Sequence, residues 1–274
     1  MKVRLITSGL GIVVFFALLF SHVTIFHVAD AIVAGIAIYE VFSVVGLTKK
    51  PSMIIAGILG IGLNVIFSSA HMGYIDYNIS LLAIAVFIAY LFAVMVFNYK
   101  KVKFNDASMA FFSAVLLALL YSYIVPLRAS EYGQYLIVAL FAATWCNDAG
   151  AYFIGIRFGK HKLAPTLSPK KTVEGAIGGV LGCVLASLIL YAVFVNFVWE
   201  TESANYIAVA LMSVFLSFIS MCGDLTASVI KRNFEIKDFG KLIPGHGGIL
   251  DRFDSIIFVL VALYAVLNIF GVVI

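Results

Sequence analysis

Long apolar stretches, separated by short polar breaks, run through this chain from its first residues to its last. A bilayer core of roughly 30 Å takes about 20 helical residues to cross. About nine stretches meet or approach that length: 6–21, 25–47, 52–70, 79–98, 107–126, 133–155, 173–198, 205–230 and 253–273. Their apolar residues are continuous, without the period of two that membrane β-strands show, so a β-barrel is excluded. The pattern predicts an all-α, polytopic membrane protein with about nine transmembrane helices. The first stretch follows a short basic start, shows no convincing small-residue cleavage site, and is succeeded almost at once by the second. It is expected to be an uncleaved helix.

Composition narrows the class further. Of 274 residues, 63% are apolar and 12% charged, the latter about half the share of a soluble domain. So few charges cannot clothe a soluble core, which excludes a water-soluble enzyme, a disordered chain and a disulfide scaffold. Cys146, Cys183 and Cys222 lie in apolar stretches and are expected to be small packing residues.

Placement of the charges then orients the chain. Of its 18 lysines and arginines, 17 fall at the N-terminus or in alternate breaks, and Arg128 alone falls on the other side. The positive-inside bias makes the basic face cytoplasmic. Two cytoplasmic loops are long, roughly 156–172 and 231–252, and rich in glycine, lysine and polar residues. The expected division is a scaffold of helices over 1–130 and a catalytic region over 131–274, within a single integral membrane unit. Glu40, mid-span in the first part, is expected to be structural. Glycines 57, 60 and 62 of the third stretch, and 175, 178, 179 and 182 of the seventh, have the spacing that lets helices approach closely. Lys49, Lys50, Lys100, Lys101 and Lys103 are expected to meet anionic headgroups.

Charges inside a bilayer are costly, so those present inform. Asp148 and Asp224 sit near the cytoplasmic ends of the sixth and eighth stretches, and Asp251 and Asp254 open the ninth. Asp224, Ser228 and Lys231 form one helical stripe by their spacing. Several aspartates at one depth suggest a hard divalent cation, Mg²⁺, bridging carboxylates and phosphates. The loops add phosphate-binding chemistry. One carries Ser168, Lys170, Lys171, Thr172 and Glu174. The other carries Lys231, Arg232, Lys237 and Lys241 around a Gly-His-Gly-Gly turn that includes His246, Gly247 and Gly248. Glycines let backbone N–H groups approach an anion, and lysines act on phosphate as point charges. Phosphoryl or nucleotidyl transfer to a lipid fits this combination. A P-loop is absent. A cation transporter would show two repeats with interrupted helices, and no such repeat is evident. A lipid kinase or a CDP-alcohol phosphotransferase is a second alternative, but Asp251–Ser255 does not extend into the longer aspartate motif expected of the latter.

Ser228 to Asp254 reads SVIKRNFEIKDFGKLIPGHGGILDRFD. Together with Gly223-Asp224-Leu225, the block Asp148 to Tyr152, Gly155, Gly159 to Leu163, and Ser168 to Gly175, it resembles the phosphatidate cytidylyltransferases (CDP-diacylglycerol synthases). The resemblance implies transfer of CMP from CTP to phosphatidic acid, giving CDP-diacylglycerol and pyrophosphate with Mg²⁺, one or two cations. It implies a catalytic group of Asp224, Asp251, Lys231 and Asp254, with Asp148, Asp224, Asp251 and Asp254 as metal ligands. Substrate contacts would come from Ser168, Lys170, Lys171, Thr172, Glu174, Ser228, Arg232, Lys237, Asp238, His246, Gly247, Gly248 and Arg252. The expected partners are CTP, phosphatidic acid and membrane lipids, with no nucleic acid, and the family alone suggests a homodimer. The expected location is a bacterial inner (plasma) membrane, with the active site facing the cytoplasm.

Overall fold

The computed structural model describes residues 2–199 and 205–270, with side chains placed over 6–197 and 205–269. Positions 271–273 of the ninth expected stretch lie outside the described residues, as do the side chains of Lys2 and Arg4. Among the described residues, seven helices are long and apolar enough to cross a membrane, and two shorter apolar helices, Ile6–Leu19 and Ile256–Ile269, stand at the positions of the first and ninth expected stretches. The protein is an all-α polytopic membrane protein.

The chain forms two compact units: Met1–Glu131 with Phe234–Arg252, and Tyr132–Asn233 with Phe253–Ile274. The first division falls beside the expected boundary at 130, and the segment 234–252 belongs to the first unit.

The first unit contains α1 (Lys2–Leu19), α2 (Val23–Val44), α3 (Pro51–His71), α4 (Tyr77–Phe97), α5 (Phe104–Ser122) and the short α6 (Ile124–Ala129). Helix α3 is its centre and packs on α2, α4 and α5. Phe42, Ile38, Met53, Phe87 and Tyr121 are fully buried, whereas Ile58, Leu81, Val86 and Phe92 point outward. That inversion of a soluble protein is what a lipid solvent requires. Pro51 starts α3 at a position where its missing N–H costs nothing. Within the core, Asn64 donates to Asp30 and to the Ala118 carbonyl, both at 3.2 Å. Gly60 meets the Ala114 side chain across α3 and α5. Lys50, expected at headgroups, instead pairs with Asp106 at 2.5 Å.

The second unit contains α7 (Gly133–Phe158), a hairpin of β1 (Lys162–Ala164) and β2 (Ser168–Thr172), α8 (Val173–Phe194) and α9 (Tyr206–Asn233). The four-residue α10 (Leu250–Phe253) leads into α11 (Ile256–Phe270). Helices α7 and α8 make the most extensive contact. A methyl group on Gly150, Gly178 or Gly182 would overlap the facing helix, so these glycines pack one chain upon itself. Asn147 ties α7 to α9, accepting from Ser217 at 2.6 Å and donating to Ser220 at 3.3 Å. All three cysteines are free thiols. The hairpin was expected as irregular loop. Its strands are antiparallel, with Lys162 opposite Thr172 and Ala164 opposite Ser168.

Candidate functional site

In the first unit the site residues sit on the segment 234–252. Gly245 and Gly247 have φ of +81° and +89°, a conformation that side-chain-bearing residues rarely adopt. The Ile243 N–H bonds the Gly247 carbonyl, and the His246 N–H bonds the Ile243 carbonyl, each at 2.9 Å. The Gly-His-Gly-Gly order is therefore a backbone requirement of a tight double turn. Two carboxylates hold that turn. Asp251 Oδ2 accepts the N–H of Phe239 at 2.8 Å and of Gly248 at 2.9 Å. Glu40, reaching from α2, accepts the N–H of Ile249 and of Leu250, both at 2.9 Å. Glu40 is buried at 4% exposure.

The folded segment encloses a cavity of about 620 Å³ bordered by Lys237, Asp238, Lys241, His246, Gly247 and Arg252. Its volume is in the range of small-molecule sites, about 300–1,000 Å³. Lys237, Lys241 and Arg252 form no ion pair among the described residues. The cavity is thus walled by an excess of cations, three to the one carboxylate of Asp238, and by glycine backbone, a surface suited to a polyanion. His246 has both ring nitrogens at hydrogen-bond distance from α1, Nδ1 to Thr7 at 3.0 Å and Nε2 to Ser8 at 3.2 Å.

In the second unit, charge is arranged in pairs. Lys171, on β2, pairs with Asp224 on α9. Lys231, one helical stripe along, pairs with Asp254 at 3.4 Å. Asp254 also accepts the N–H of Ser255 at 2.8 Å, and it feels Asp224 as a like charge. Two lysines thus stabilise two neighbouring carboxylates that would otherwise repel. Gly223 makes the approach of α9 to the start of α11 close, since a methyl group there would press on Phe258, Asp254 and Ser255. Ser228 is half-buried on α9, on the face shared with Asp224 and Lys231. Lys231 and Arg232 form the last turn of α9, where cations favour the helix dipole. Arg232 reaches the Leu167 carbonyl at 3.4 Å.

The hairpin has its own supports. Thr172 caps α8 through the Gly175 N–H at 3.1 Å. Glu174 accepts the backbone N–H of Lys160 at 3.0 Å and lies 2.6 Å from His161 Nδ1. Both residues therefore shape the loop that carries Ser168, Lys170 and Lys171. Lys170 is exposed and Ser168 half-buried. Asp148 is exposed on α7.

The structure thus brings Lys171, Asp224, Lys231 and Asp254 together in one unit, and Lys237, Asp238, His246, Gly247, Gly248, Asp251 and Arg252 together in the other. Among the described residues, no three of the His, Cys, Asp and Glu side chains form a ready-made metal cage. Sequence reasoning passed over Asn147, Thr7 and Ser8. Each is a hydrogen-bonding residue in an apolar stretch, which is the signal that could have found them.

Known proteins resemble the chain throughout its length. The profile of the cytidylyltransferase family matches residues 2–270. A phosphatidate cytidylyltransferase of Bacillus subtilis is 33% identical over 277 residues, covering 99% of each chain. One of Staphylococcus haemolyticus is 34% identical over 95% of this chain and 96% of its own. One of Staphylococcus aureus is 33% identical with the same coverage. With its signature residues folded into two charged clusters and its whole length matched, the chain belongs to the cytidylyltransferase family.

Proposed function

We propose that the protein is a phosphatidate cytidylyltransferase, making CDP-diacylglycerol and pyrophosphate from CTP and phosphatidic acid. The observation that carries this reading is the glycine-turn cavity, whose lining sets Lys237, Lys241 and Arg252 against the single carboxylate of Asp238, in a chain whose family transfers cytidylyl groups. The phosphate monoester of phosphatidic acid is largely dianionic near neutral pH, if its second pKa of about 6 follows that of phosphoproteins. It is already a nucleophile and needs no protein base. One of its oxygens attacks the α-phosphorus of CTP; a P–O bond forms there, the α–β bridge breaks, and pyrophosphate leaves with that bridging oxygen. What the protein must supply is positioning and neutralisation of charge.

The residues divide those tasks. Lys237, Lys241 and Arg252, presented beside the Gly-His-Gly-Gly turn, are suited to the triphosphate. Lys171 and Lys231 are each poised to exchange a carboxylate for a phosphate oxygen. As they do so, Asp224 and Asp254 become available as hard oxygen ligands. Two carboxylates with substrate phosphates completing the shell is how Mg²⁺ is commonly held, so the pair fits one such ion. Mg²⁺ there would offset the charge that develops on the phosphates. Asp148 and Asp251, each within its own unit, remain candidate metal ligands. Ser168, Lys170, Thr172, Glu174, Ser228, Arg232 and Asp238 shape or border these clusters. The positive-inside bias supports basic loops that face the cytoplasm, and the bacterial relatives support a location in the plasma membrane. A homodimer is the form in which we expect the protein to act.

The test is direct. Purified protein in detergent, given CTP, phosphatidic acid and Mg²⁺, yields CDP-diacylglycerol and pyrophosphate. Absence of both products sinks the reading.

A further inference from the structure

The geometry points to Glu40 as a positioning residue for the nucleotide-binding segment, although it lies on the second helix of the chain and far from the signature motif. The inference rests on the reading that the cavity of 237–252 takes the triphosphate. Three observations support it. Glu40 is buried, and each of its two oxygens accepts one backbone N–H, from Ile249 and Leu250. Those amides open α10, so the carboxylate caps a helix of one turn that has little intrinsic stability. Finally, Gly240 and Gly248 both lie directly on the Glu40 carboxyl group, where a methyl group on either would overlap it. These two glycines bracket the turn, so Glu40 touches the segment on either side of its bend.

Asp251 complements this hold from inside the segment, with Phe239 and Gly248. Four backbone N–H groups, at 239, 248, 249 and 250, therefore end on two carboxylates. With those donors engaged, Lys237, Lys241, His246 and Arg252 are presented from a fixed backbone. Without Glu40 the segment keeps its covalent ends and the Asp251 bonds but loses its anchor to α2. The cations then sample many positions, and ordering them falls to the nucleotide, which weakens its binding.

The experiment uses the full-length protein in detergent. Glu40→Gln keeps the shape but turns one acceptor into a donor facing an N–H. The expected result is a KM for CTP raised about tenfold or more, with the KM for phosphatidic acid within about twofold of wild type. Trypsin should also cut faster after Lys237 and Lys241, and Glu40→Asp should recover part of both effects. Gly248→Ala approaches the same contact from the segment and should reproduce the Glu40→Gln pattern, including where Glu40 variants insert poorly. Wild-type KM for CTP with wild-type proteolysis in Glu40→Gln overturns the inference. So does an equal change in both KM values, which would make Glu40 a general scaffold residue. Failure of the underlying reading looks different: wild type itself forms no product, while trypsin still reports whether Glu40 restrains the segment.

Discussion

The two units handle charge in opposite ways. Around the segment 234–252 of the first unit, the carboxylates of Glu40 and Asp251 face backbone N–H groups, and the cations at 237, 241 and 252 form no ion pair among the described residues. In the second unit the carboxylates of Asp224 and Asp254 face lysines. On the proposed reading the first arrangement is the anion site, with Glu40 and Asp251 spent on architecture. The second is self-neutralised and becomes a phosphate or cation site only when a partner displaces one ion of a pair. Part-buried ion pairs of this sort are weak evidence for stability, because desolvation offsets much of the attraction. Their exchange for substrate is the better reason for having two of them on one helix.

The comparison breaks most sharply at Lys171 and Asp224. Lys171→Ala and Asp224→Asn should each lower kcat/KM by about a thousandfold or more, as expected when groups acting on the transition state are lost. Exchanging the two charges, Lys171→Asp with Asp224→Lys, should leave the protein folded by thermal unfolding in detergent yet still inactive. Recovery by the exchanged pair would show that it is only a structural ion pair. Next in size is Asp254→Asn. It should raise the Mg²⁺ concentration for half-maximal activity about tenfold, measured by titrating the ion into chelator-treated protein. An unchanged Mg²⁺ titration would remove Asp254 from the ligand set.

Smaller effects are expected in the segment 234–252, where the cations that line the cavity form no ion pair among the described residues. Lys237→Gln or Arg252→Gln should raise the KM for CTP about five- to twentyfold with kcat little changed, and should flatten its dependence on ionic strength. A fall in kcat alone would place these cations at the reacting phosphorus instead. The smallest change belongs to Glu174→Gln. Its carboxylate is partly exposed, and its bonds to Lys160 and His161 shape the hairpin. Activity should drop about two- to fivefold, with faster proteolysis near Lys160. A loss as large as that of Lys171→Ala would move Glu174 into contact with substrate.

Much of this was legible in the residues themselves. Continuous apolar runs marked the helices because a bilayer demands one length and one composition. The Gly-His-Gly-Gly order marked a turn because two of its glycines need left-handed backbone. The pairing of Asp224 with Lys171 was less visible, since it joins a helix to a strand 53 positions away. The hairpin was invisible because Lys162–Ala164 and Ser168–Thr172 have no alternating apolar face to announce strands. Glu40 stands out in the sequence as a mid-span acid expected to be structural, and the structure sets it on the N–H groups of Ile249 and Leu250. Its partners are backbone amides, which every residue but proline carries, so no spacing rule could have pointed from residue 40 to residues 249 and 250.

That last contact spans 209 positions in the chain. A ribosome adding about 5–20 residues per second needs roughly 10–40 s to cover that distance. During that interval Glu40 has entered a hydrophobic helix, and the amides that will satisfy it have not yet been made. Nascent α2 must therefore lodge its acid against water, headgroups or insertion machinery, and the first unit closes only when nearly the whole protein has been synthesised. Closure of the glycine-turn segment is in this way a check on completion: a chain stopped before residue 249 would carry all six early helices and lack the amides through which Glu40 holds the segment proposed to take CTP.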